Sequence, residues 1–97
     1  MIITKKTHAE FHSGVNADVD TTAERLTDLS IPVYSKVRVQ AATGNSDSVF
    51  VGHDSGVTAS NGWELDAGEY VEIEIDDPSK IWVIGGAINQ AVKWLAV

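Results

Sequence analysis

The stretch VFVGHDSGVTASNGW, residues 49–63, sets His53, Asp54 and Ser55 side by side between Gly52 and Gly56. These are the residue types of a nucleophilic triad, in which a serine hydroxyl passes its proton to an imidazole that a carboxylate orients. A triad needs the three groups in one line of hydrogen bonds, normally gathered from distant segments, and three consecutive residues do not face one another in that order. Nor is this the nucleophile elbow G-x-S-x-G, because serine stands at the fourth place of GHDSG and no helical period follows it. The two glycines permit positive φ, and Asp54 and Ser55 can bond nearby amides, so the stretch is expected to be a solvent-facing loop that leads from one strand toward Trp63.

Other groupings suggest other chemistries. His8 and His12 are four apart, a spacing that faces one metal only on a helix, and KKTHAEFHSG carries no strong helical pattern. Asp18 and Asp20 offer oxygens, but their spacing does not continue into a twelve-residue calcium loop with its glycine and final glutamate. Glu72 and Glu74 share one face of an alternating segment, where an open, solvated sheet surface lacks the cleft that acid–base catalysis requires. Trp63, Trp82 and Trp94 would stack on sugar rings if exposed and coplanar; in small β domains tryptophans more often anchor a core or an interface. With no cysteine there is no disulfide, thiolate or cysteine-type zinc site. No cofactor, no metal and no enzymatic activity are expected.

The elements that must position these residues are strands. KVRVQA alternates Val37, Val39 and Ala41 with Lys36, Arg38 and Gln40, and YVEIEID alternates Val71, Ile73 and Ile75 with Tyr70, Glu72, Glu74 and Asp76. SVFVG, KIWVIGG and AVKWLAV are rich in β-branched and aromatic residues and fit strands whose two faces are both at least partly covered. Turn residues recur between them at Gly44-Asn45, Asn61-Gly62, Ala67-Gly68, Asp77-Pro78 and Gly85-Gly86. In the first thirty residues, IITKKT and AERLTDL are expected as strands and HSGVNADVD as a loop, with two helical turns over TTAERLTDL as the alternative. Ile31-Pro32 then enforces an extended approach to the next strand. The predicted fold is all-β: a small antiparallel β-sandwich or β-barrel, one domain over residues 1–97, with 1–20 as an N-terminal arm or loop.

Fourteen acidic against seven basic residues give a formal charge of −7, which repels a phosphate backbone and argues against nucleic acid as partner. MIITKKTHAEF is neither a signal-peptide core nor a membrane span, so no membrane association is expected. In KIWVIGG, Ile81 and Val83 share one face and Trp82 and Ile84 the other. A strand with bulk on both sides in so thin a protein points to a subunit contact through Trp82 and Ile84.

Residues 49–83, VFVGHDSGVTASNGWELDAGEYVEIEIDDPSKIWV, together form a recognisable pattern: a strand ending VxVG, then SGVTASNG, then ELxAGE, an acidic strand and D-x-SK-I/L-x-V. LSIPVYSKVRVQAATGNSDSVFVG precedes it as IPV..V.V.A..GN...V.VG. The whole, roughly residues 23–97, resembles small β-rich structural proteins of tailed bacteriophage virions, most of all capsid decoration (cement) proteins. The resemblance implies a subunit made in the host cytoplasm and seated on the outer capsid surface, a homo-oligomer, with a trimer favoured, that bridges copies of the major capsid protein. Many modest interfaces would together stabilise the shell. Subunit or capsid contacts are then expected at Trp82, Ile84, Ile2, Ile3 and Phe11. Alternatives are a head–tail connector or tail accessory protein, a carbohydrate-binding module using exposed tryptophans, and a small hydrolase using His53 or Ser55.

Overall fold

The structure is a computed structural model and describes residues 11–97. Its strands are β1 His12–Val19, β2 Glu24–Arg25, β3 Val37–Ala41, β4 Val49–Gly52, β5 Trp63–Leu65, β6 Tyr70–Ile73, β7 Trp82–Gly85 and β8 Gln90–Ala96; a short 3-10 turn spans Pro78–Lys80. They form two four-stranded antiparallel sheets, β1-β8-β3-β6 and β2-β7-β4-β5, packed as a sandwich rather than a barrel. No helix among the described residues is long and apolar enough to cross a membrane.

The alternation predicted for β3 holds. Val37, Val39 and Ala41 are fully buried, in register with Ala96, Trp94 and Val92 of β8, which face the same way. Across the sandwich, Val49 and Val51 of β4, Leu65 of β5 and Val83 of β7 form the opposing layer, with Leu26 and Ile81 beside the strands. Burial of these apolar side chains is the main favourable term holding the two sheets together. As expected for a strand covered on both faces, β4 also buries Phe50. The following loop packs on this face: a Cβ on Gly52 would lie 2.5 Å from the Val57 side chain, and one on Gly62 would lie 2.7 Å from Phe50.

The segment expected as a loop, residues 12–20, is instead mostly β1, paired with β8 from His12↔Ala96 to Val19↔Gln90. Its apolar pattern is hidden by a bulge, since Ala17 and Asp18 together oppose Ala91. Val15 and Val19 stand an even number of residues apart, yet Val15 is 62% exposed and Val19 is fully buried. Of AERLTDL only Glu24–Arg25 is strand, and TTAERLTDL forms no helix. IITKKT lies outside the described residues.

The residues that carry the pattern of 49–83 mostly close turns. Asn45 donates to the Ala91 carbonyl and accepts from the Ala91 amide, both at 2.8 Å, so one side chain does the work of an adjacent strand. Asn61 accepts from the Thr58 amide and donates to the Gly56 carbonyl, while Thr58 Oγ1 accepts from the Ser60 and Asn61 amides, tying up VTASNG. Glu69 accepts from the Asp66 amide at 2.7 Å, and Asp77 caps the 3-10 turn by accepting from the Ser79 amide at 2.9 Å. The fully buried Gln90 accepts from the Asp47 amide and donates to Ser46 Oγ and the Ile88 carbonyl, so its burial leaves no polar atom unmatched.

Candidate functional site

The His-Asp-Ser stretch does not assemble into a reaction centre. It turns out of β4, with Asp54 Oδ1 accepting from the Gly56 amide at 2.8 Å, a local turn of the kind aspartate favours. His53 Nε2 lies 3.2 Å from the other carboxylate oxygen of Asp54, and its side chain is 95% exposed. The imidazole therefore meets the carboxylate in solvent rather than a serine in a cleft.

The remaining polar candidates disperse too. His12 sits on a strand, which removes the helical premise of a pair with His8, and His8 lies outside the described residues. Among the described residues no cluster of three or more histidine, aspartate or glutamate side chains is arranged to hold a metal. Asp20 is spent on structure: its side chain accepts from the Asn89 amide at 3.1 Å and its carbonyl from the Gly85 amide at 2.7 Å. Glu72 accepts from Arg38 Nε and Nη2 at 3.2 and 2.9 Å and from Lys36 at 3.3 Å. These bonds, Arg38's first, hold its carboxyl below the ordinary glutamate range, the opposite of what a general acid needs. Arg38 also stacks over the Tyr70 ring at 4.3 Å, so this face is a cross-strand network.

The three tryptophans have three environments. Trp94 is core, Trp82 is half-buried beneath the Arg25 guanidinium, 5.1 Å from the ring centroid, and Trp63 is 66% exposed. Register explains the difference. Trp63 opposes Val51 and so faces inward, but it stands on β5, the last strand of its sheet, where the opposite layer does not cover it. Trp82 opposes Gly52 on one side and Arg25 on the other, on the outward face. Ile84, its companion on that face, is half-buried, and Phe11 is 64% exposed; Ile2 and Ile3 lie outside the described residues.

Trp63 and Trp82 meet at one groove of about 780 Å³ at an end of the sandwich. Val71 and Ile73 of β6, with Ile75 just beyond, form one aliphatic side; all three are half-buried, short of the full cover that strand alternation alone suggests. Arg25, His53 and Lys80 are its charged or chargeable lining groups. Sequence reasoning singled out both tryptophans but not their meeting, because residues 25, 63, 73 and 82 come together only through strand order.

A second recess, of about 500 Å³, lies between β1 and the β2 segment and includes Glu24. Glu24 opposes Val83 and so faces inward; its Oε1 is buried without a hydrogen-bond partner among the described residues. Burial pushes the Glu24 carboxyl above its ordinary range, and the neighbouring Asp20 and Asp18 push the same way against a hydrogen bond from Asn16.

Compared with known proteins, the chain matches no family model, no curated protein and no solved structure.

Proposed function

We propose that this chain is a non-enzymatic virion structural protein of a tailed bacteriophage, a capsid decoration protein that docks on the major capsid protein at the outer head surface and stabilises the shell. The observation that carries a docking role is Trp63, largely exposed beside the half-buried Val71, Ile73 and Ile75 in an open groove. An aromatic anchor over aliphatic surface is the composition of a protein contact. The assignment to a virion rests on the resemblance of residues 23–97, and the β-sandwich agrees with the fold it implies. Quantitative mass spectrometry of purified virus particles, against the major capsid protein, tests the reading. Hundreds of copies per particle are expected for a shell component; a handful would move the chain to the neck or tail, and none would remove it from the virion.

A carbohydrate-binding role is the second reading, favoured by Trp63 and Trp82 lining one groove. Tryptophan emission that shifts on adding oligosaccharide would support it over a protein partner.

A further inference from the structure

The groove differs in charge from the molecule around it. The chain has fourteen acidic and seven basic residues, yet Arg25, Lys80 and His53 line the groove and, among the described residues, no aspartate or glutamate does. Lys80 is paired with Asp76 at 2.8 Å and His53 lies beside Asp54. Arg25 instead donates to the Ser79 carbonyl at 2.8 Å and covers the Trp82 ring, and no ion pair joins it to a carboxylate among the described residues. A guanidinium held in place this way keeps donors for a planar acidic group.

We propose that the groove receives an extended segment of a partner protein in which aliphatic side chains alternate with carboxylates. The inference rests on the docking role above and names the chemistry of what docks. Val71, Ile73 and Ile75 repeat at the two-residue period of a strand, and β5 and β6 end their sheets, each paired on one side among the described residues. Such edges accept an added strand through backbone hydrogen bonds, while side pockets select alternate side chains. Val51 and Ile81 add two aliphatic residues to a lining that, with the two tryptophans, is largely apolar, which suits a peptide with aliphatic side chains. The chain's own first ten residues, MIITKKTHAE, carry Lys5 and Lys6 against the one glutamate Glu10, a net charge of the sign that Arg25 and Lys80 repel.

The test uses the full chain and fluorescence anisotropy with labelled, blocked eight-residue peptides. One alternates valine with glutamate and its counterpart alternates valine with lysine; a peptide of residues 1–10 and a hexamer of N-acetylglucosamine are competitors. The glutamate peptide is expected to bind at least about tenfold tighter than the lysine one, and more weakly as salt rises. Trp63→Ala and Arg25→Gln, each with the parent's circular dichroism and melting temperature, should each weaken binding about tenfold. Equal or tighter binding of the lysine peptide, displacement by residues 1–10 or by the sugar, no binding at all, or parental affinity in the Trp63→Ala protein would overturn the proposal. Its failure is separable from that of the virion reading. Hundreds of copies per particle without acidic preference would keep decoration and remove the acidic segment, and the converse result would do the reverse.

Discussion

Glu24 is the residue with the least comfortable surroundings. It faces the core side of β2 with an Oε1 that has no hydrogen-bond partner among the described residues, beside Asp18 and Asp20. Because its folded carboxyl titrates above the unfolded value, its contribution to stability is full below the unfolded pKa and is lost as pH rises through the folded one. Glu24→Gln should therefore raise stability at pH 7, and the gain should vanish near about pH 4. Thermal melts of both proteins across that range check it; a gain independent of pH would show that ionisation is not the cause. Asp77 runs the other way: the Ser30 hydroxyl and the Ser79 amide hold its carboxyl low, so that cap weakens in acid. At this scale the sequence was legible where chemistry is local. The turn roles of Asp54 and of Asn61 follow from their glycine neighbours, whereas Asn45 and Gln90 depend on partners more than forty residues away.

Among the elements, β1 is the instructive one. Gly14 lies directly under the Trp94 indole: a Cβ there would come within 2.7 Å of three of its ring atoms, and Trp94 is buried. Gly14→Ala, which would help an unconstrained strand, is expected to cost about 2 kcal/mol through overpacking. Denaturant unfolding measures it, and an unchanged midpoint would mean the indole moves freely. The same contact explains why β1 reads as a loop: its inward positions are His12, Gly14 and Asn16, and the bulge then reverses the parity before Val19. β3, β4 and β7 were legible because each keeps one period and buries its own apolar residues.

On the scale of the molecule, Trp82 and Ile84 on an outward face remain the proposed subunit contact; Trp82 also lines the groove, whereas Ile84 does not. We expect a homotrimer in solution, and Ile84→Glu to release folded monomers that still bind the acidic peptide. Light scattering after gel filtration, with circular dichroism, reads both; a trimer that survives the substitution would remove Ile84 from the contact. Such association would add stability to a domain whose own core is modest.

The sequence by itself determined the all-β class, most strand positions and the turns between them, because alternation and turn chemistry act within a few residues of the chain. Tertiary structure decided sandwich over barrel, the strand at 12–19 and the groove. Each of these depends on which strands become neighbours: β8 supplies the register that makes HSGVNADV a strand, and β6 lies near Trp63 only because β5 and β6 each end a sheet. Strand order is set by the joint burial of two whole faces, a sum over distant residues that no local window contains.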